Sequence, residues 1–195
     1  MHKSSITAGL TVALLSAFQT STLAQTTATY PLTPRVLQLI GKLTLDEKLS
    51  LVRGGVDPNN LGQAGYIPGV PRLGIGPLRV TDGPAGIRVG KPATAMPAPV
   101  AMAATFNPEI AKRFGATVGK EGRALGQDVL LSPMVNIVRQ PGAGRNFETL
   151  GEDPLLAASL VSAQVKGVQA NGLIATVKHF AANNFEQGRM GINVL

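Results

Sequence analysis

Cysteine and tryptophan are both absent from the chain. Without cysteine there is no disulfide, no thiol nucleophile and no thiolate metal site. Histidine is almost missing as well: there are two in 195 residues, and with His2 in the N-terminal segment only His179 is left for the fold. One imidazole and no thiol argue against a zinc site, and no residue spacing implies an organic cofactor. Aromatic residues make up only 4% of the chain, which leaves few rings on which bases could stack. The 18 Lys and Arg against 11 Asp and Glu give a net charge of +7, which raises the question of a nucleic-acid partner. The cations are scattered singly, without a run or stripe, so no nucleic acid is expected.

Long apolar runs are also lacking. The longest, roughly Ile6 to Phe18, follows Lys3 and precedes Thr22-Leu23-Ala24, a small-residue site of the A-x-A type. It is too short for a membrane span and reads as a secretory signal peptide covering residues 1–24. The expected location is secreted or periplasmic, with no membrane contact after signal cleavage. Residues 25–195 are then enough for one domain with a core. They are too few for a complete (β/α)8 barrel, which needs about 250 residues.

What is present is well punctuated. Thr44-Leu45-Asp46-Glu47 is a capping box ahead of Leu49 and Val52. Asn107-Pro108 predicts a helix to Leu125, stopped by Gly126, with Ile110, Phe114, Val118 and Leu125 on one face. Asp153-Pro154 repeats the device, with Leu160, Val161, Val165 and Val168 inward and Gly172 as the stop. Between the helices lie apolar runs at 77–81 (PLRVT), 127–133 (QDVLLSP) and 172–180 (GLIATVKHF). Strands alternating with helices predict βα units on a parallel sheet. The Gly/Pro-rich segment from Gly54 to Pro99 reads as loops around a site.

Each predicted strand runs into polar residues. Asp82 and Arg88 follow the first, and Arg139, Arg145, Asn146, Glu148 and Asp153 follow the second. Lys178-His179 closes the third, ahead of Asn183, Asn184 and Glu186. In a parallel barrel the C-terminal strand ends converge on one face, so these residues would share a pocket. An acceptor carboxylate among several cationic or imidazole donors suits a ring bearing many hydroxyls. Phosphate loops are near-misses only: Arg79 stands where a third glycine is needed after Gly74 and Gly76. Likewise Pro92 follows Gly90-Lys91, and Ala85 replaces a leading glycine. Ordinary roles remain open: Asp82 as a turn former, Arg145 in an ion pair with Glu148 and Asp153, Lys178-His179 in a solvated loop, and Asp153 as a helix cap.

Taken together, LTLDEKLSLV, PRLGIGPLRVTDGPAGIR, FNPEIAKRFG, GRALGQDVLLSPMVNIVR, GRNFETLGEDP and VKHFAANNFE give a chain that resembles glycoside hydrolase family 3, in its β-glucosidase-like branch. The resemblance implies a retaining exo-glycosidase that removes terminal β-linked glucose from oligosaccharides or glucosides. It implies a TIM-type (β/α)8 barrel of which this α/β chain is the first half, truncated. It also implies that Asp82, Arg88, Arg145, Lys178 and His179 bind hydroxyls of the terminal sugar, with Lys178-His179 as a double donor. The N-acetylglucosamine branch is disfavoured, since Ala-Ala-Asn-Asn follows Lys-His-Phe and no second mature His exists. A retaining mechanism needs two carboxyls about 5–5.5 Å apart. In the family the nucleophile sits in a Ser-Asp-Trp-type motif and the acid/base in a later domain, and neither is found here. Glu148, Glu152 and Asp153 read as structural carboxylates, so the chain alone is expected to be inactive. A β-xylosidase or other exo-glycosidase on the same scaffold, and a non-catalytic sugar-binding module, are the alternatives.

Overall fold

The computed structural model describes residues 32–193, so the signal peptide expected over residues 1–24 lies outside the described residues. Helix ends fall where the caps put them. Thr33 opens α1 (Pro34–Lys42), its side chain accepting from Val36 N. The capping box of α2 (Leu45–Arg53) closes in both directions, Thr44 N donating to Glu47 Oε2 at 2.8 Å and Glu47 N to Thr44 Oγ1 at 3.3 Å.

The sheet has four strands in the order β1 (Gly65–Ile67), β2 (Leu78–Asp82), β3 (Val129–Leu131) and β4 (Ile174–Ala175). β2, β3 and β4 are parallel, with Val80, Val129 and Ile174 side by side. β1 corrects the expectation of a purely parallel sheet, since Gly65 pairs antiparallel with Val80. The short link from Pro68 to Pro77 allows this, because antiparallel neighbours need no crossover helix. The segment read as loops from Gly54 to Pro99 therefore holds two strands, and α3 (Pro99–Ala103) begins at its end. β4 is also shorter than the apolar run 172–180. Its bonding nevertheless continues beside β3: Thr176 N donates to Leu130 O at 2.9 Å, Lys178 N to Pro133 O at 2.9 Å and Val135 N to Lys178 O at 2.8 Å. Pro133 has no N–H to keep the ladder regular.

α4 (Pro108–Ala124), capped by Asn107, and α5 (Pro154–Gln169), capped by Asp153, cover the parallel strands. Phe114, Val118, Leu130, Leu160, Val168 and Leu173 form the centre of the core and are at most 6% exposed. Of the predicted inward faces, Leu125, Val161 and Val165 are half-buried and Ile110 is exposed, because the α4–α5 contact runs along small residues instead. A Cβ at Gly115 would stand 2.1 Å from Gln164 O, and one at Gly167 would stand 2.1 Å from Lys112 O. Glycine sets how closely the two backbones approach. By contrast, Leu37 of α1 and Leu49 and Val52 of α2 are exposed, Val52 by 88%. Among the described residues no helix is long and apolar enough to cross a membrane.

Gly115→Ala is expected to cost about 1–3 kcal/mol, because the backbones must separate to admit a methyl group. Gly41→Ala in α1 meets nothing within 4 Å. It should be neutral or stabilising by up to about 1 kcal/mol. Urea unfolding of the two variants checks both, and equal effects would refute the close-approach account.

Candidate functional site

The strand ends deliver the site. Asp82 is the last residue of β2 and Lys178 follows β4, so the two side chains approach from either side of β3. Lys178 Nζ donates to Asp82 Oδ1, and Arg88 Nη1 donates to Asp82 Oδ2 at 3.2 Å. Arg88 returns to Asp82 through a tight loop: its N–H reaches Asp82 O at 3.0 Å, and Thr81 Oγ1 holds the Arg88 carbonyl at 3.0 Å. Gly83 makes the reversal possible at φ +155°, where a Cβ would lie 2.1 Å from Gly86 O. The Lys178 side chain is 13% exposed, which rules out the solvated-loop reading, whereas the Arg88 side chain is 70% exposed. Asp82 is more than a turn former, since its carboxylate is engaged from both sides.

The second cluster is built on the loop after β3. Its 3-10 turn Asn146–Glu148 places Arg145, whose Nη2 meets Glu148 Oε2 at 2.6 Å and whose Nη1 meets Glu186 Oε1 at 3.3 Å. The ion pair expected with Glu148 is present. Asp153 instead caps α5, accepting from Leu155 N and Leu156 N at 2.7 and 3.1 Å. Arg189 meets the other Glu186 oxygen at 2.8 Å. His179 joins the clusters. The Asn183 amide lies beside it, and the orientation in which its nitrogen donates to Glu186 Oε1 at 3.1 Å assigns its oxygen to His179 Nδ1 at 3.2 Å and Arg145 Nη1 at 3.3 Å. Lys178 is its chain neighbour, and the Lys178–His179 peptide is cis.

Asp82, Arg88 and Lys178 therefore form one cluster and Arg145 and His179 belong to a second, the two being joined through the chain at Lys178-His179. Sequence reasoning missed Asn136, which is 9% exposed and accepts from His179 N at 2.9 Å. It also missed the Arg145–Glu186 pairing. The signal available for Asn136 was an isolated amide within the apolar stretch Val135 to Val138.

Four cations (Arg88, Arg145, Lys178, Arg189) face three carboxylates (Asp82, Glu148, Glu186), leaving one net positive charge. Burial depresses the pKa of His179 below its usual value, and repulsion from Lys178 and then Arg145 adds to this, so the ring is neutral at pH 7. Burial works against the Asp82 carboxylate, but the hydrogen bond and charge of Lys178 outweigh it and hold the group below its usual range. Glu186 is lowered chiefly by its hydrogen bond from Arg189, with that from Arg145 adding to it. Among the described residues no group of three or more His, Asp or Glu is placed to hold a metal.

The glycosyl hydrolase family 3 N-terminal domain model matches residues 71–193. The chain is 41% identical over 181 residues to beta-glucosidase BoGH3A of Bacteroides ovatus, covering 85% of this chain and 23% of that protein. It is 37% identical over 172 residues to thermostable beta-glucosidase B of Acetivibrio thermocellus, covering 82% and 22%. Among solved structures, DesR, a beta-glucosidase from Streptomyces venezuelae in complex with D-glucose, superposes with a TM-score of 0.78 at 52% identity, over 82% of this chain and 20% of that one. Beta-glucosidase 3B from Thermotoga neapolitana in complex with alpha-D-glucose gives 0.73 at 40% identity, over 78% and 24%. The chain spans about a fifth of the length of these relatives.

The His179 ring should titrate below about 6.5, its ordinary value. Lys178→Met should raise that midpoint by removing the nearby positive charge. Between the folded and unfolded midpoints the unfolded chain binds more protons, so stability from this group is full above about 6.5 and lost as the pH falls to the folded midpoint. Asp82 and Glu186 act in the same sense lower down. Their contribution is present above about 4 and lost on further acidification. An NMR titration of the imidazole, with urea unfolding across pH, checks these signs, and an unchanged midpoint in Lys178→Met would contradict them.

Proposed function

Because the chain belongs to glycosyl hydrolase family 3, through that family's N-terminal domain, we propose that it supplies the terminal-sugar cradle of an exo-acting, retaining β-glucosidase. One observation carries the reading: a carboxylate, an ammonium and an imidazole stand together at the C-terminal ends of parallel strands, with Arg88 and Arg145 at the margins. Asp82 is acceptor-only and can take hydrogen bonds from two adjacent hydroxyls, while Lys178 and the arginines only donate. A sugar hydroxyl does both, so it satisfies a lining that neither phosphate nor an apolar ligand would satisfy. A ligand lacking the hydroxyls would leave these half-buried groups unpaired, which is how polar sites discriminate strongly. The complexes of the compared beta-glucosidases with glucose support a monosaccharide as occupant.

In this reading the two catalytic carboxyls are contributed from outside the 195 residues, and no cofactor is needed. The exposed apolar residues of α1 and α2 would be covered by the remainder of the barrel, of which this chain is the first half. Export to the periplasm or beyond the cell belongs to the same proposal and rests on the apolar run Ile6 to Phe18.

The 195-residue chain is expected to bind glucose without hydrolysing an aryl β-glucoside, and Asp82→Asn or Lys178→Met should abolish the glucose-induced NMR shifts. In a complete enzyme the same substitutions should lower kcat/KM by about 10²–10³, as expected for losing charge-assisted hydrogen bonds made to substrate. Arg72→Met removes a surface pair with Glu47. It should change kcat/KM by less than about threefold. Clear turnover by the chain alone, or wild-type kinetics in Asp82→Asn, would refute the proposal.

A further inference from the structure

We propose that Asn136, assisted by Asn183, fixes His179 as the Nδ1–H tautomer, so that Nε2 presents the site with a hydrogen-bond acceptor beside the Lys178 donor. Each amide is oriented by partners that can play only one role. Asn136 Nδ2 donates to His179 O at 3.2 Å, and a carbonyl can only accept. The other end of that amide is therefore its oxygen, which takes the His179 backbone N–H at 2.9 Å and lies 3.1 Å from Nδ1. On the second side, Asn183 nitrogen donates to the Glu186 carboxylate at 3.1 Å. Its oxygen faces the Arg145 guanidinium, a pure donor, at 3.3 Å and His179 Nδ1 at 3.2 Å.

Two amide oxygens thus converge on one ring nitrogen. A bare Nδ1 would set its lone pair against theirs, a repulsion that a proton on Nδ1 turns into attraction. Protonated, Nδ1 serves both. The neutral ring carries a single N–H, so Nε2 keeps its lone pair. Among the described residues no hydrogen bond reaches Nε2, which leaves it free for a ligand. Lys178 and His179 are then one donor and one acceptor, not the double donor that the family resemblance implies. The consequence for substrate rests on the sugar-binding reading. A hydroxyl that accepts from Lys178 can donate to His179, and such a relay strengthens both bonds. A group that accepts but cannot donate would fill only half of it.

The tautomer is measured in the 195-residue chain without sugar, by long-range 1H–15N correlation of histidine-labelled protein at a pH well above the His179 midpoint. The expected result is a protonated, pyrrole-type Nδ1 and a pyridine-type Nε2; the reverse pattern overturns the proposal. Asn136→Ala should move the two nitrogen signals towards each other as the tautomers mix, and weaken glucose binding about tenfold. Asn136→Asp keeps an acceptor oxygen and should retain the Nδ1–H pattern, so it decides the matter if the alanine variant does not fold. Deoxyfluoro-glucoses give the second readout. At the hydroxyl that meets Lys178 and His179, fluorine should recover at most the part that accepts from Lys178, and affinity equal to that of the hydroxyl overturns the acceptor role. A chain with the expected tautomer that binds no sugar would sink the sugar-binding reading alone.

Discussion

The contact between Lys178 and Asp82 is the constraint on which the site depends. The two residues are 96 apart in sequence and belong to strands on either side of β3. Neither charge could sit at a half-buried strand end alone, since an unpaired ion there loses solvation that nothing replaces. Paired, they are tolerated, and the surplus positive charge around them keeps the carboxylate ionised and the neighbouring imidazole neutral. The state of His179 is thus set first by burial, with Lys178 and then Arg145 adding to it. A substitution at either cation would change the protonation of a ring it does not touch.

That contact depends in turn on the sheet register, and the register depends on packing far from the charges. A shift of one residue in β4 would send Lys178 to the opposite face. The shift is resisted by Leu173 just before β4 and by α4 and α5 packed over Leu130, all in the same core. The close approach at Gly115 and Gly167 brings both helices onto the sheet together. Leu150, 1% exposed, anchors the loop that carries Arg145 to the same core, so the second cluster shares the foundation of the first.

What the sequence made legible were features whose cause is local. A Thr-x-x-Glu box and the Asn-Pro and Asp-Pro caps satisfy backbone groups within a turn, and three helices began as expected. Of the five proposed site residues, Asp82 and Lys178-His179 stood out because they end apolar runs, where a polar side chain needs a reason, whereas Arg88 and Arg145 lie in Gly/Pro-rich loops and drew notice through the family resemblance. Pairings between distant segments were not. Asn136 meets His179 from 43 residues away and Glu186 meets Arg145 from 41 away, and no local pattern records either. β1 was lost among glycines and prolines because three residues are too few to show an alternation. The inward face of α4 was misjudged at Ile110 because glycine, having no side chain, contributes nothing to an apolar periodicity while deciding where the helix makes contact.

On the sugar-binding reading, ionic partners alone would make a poor cradle for a neutral polyol. A lining of donors around one carboxylate satisfies hydroxyl oxygens but gives few hydroxyl protons a destination. Each further acceptor must be neutral, or it would pair with a cation and close the pocket upon itself, as Glu148 and Glu186 do with Arg145. An imidazole held uncharged by burial and adjacent cations, in the tautomer proposed above, would add an acceptor without adding a negative charge. On that proposal, placing Lys178 and His179 side by side would resolve a problem of hydrogen-bond polarity: the cation that donates also helps to keep its neighbour able to accept.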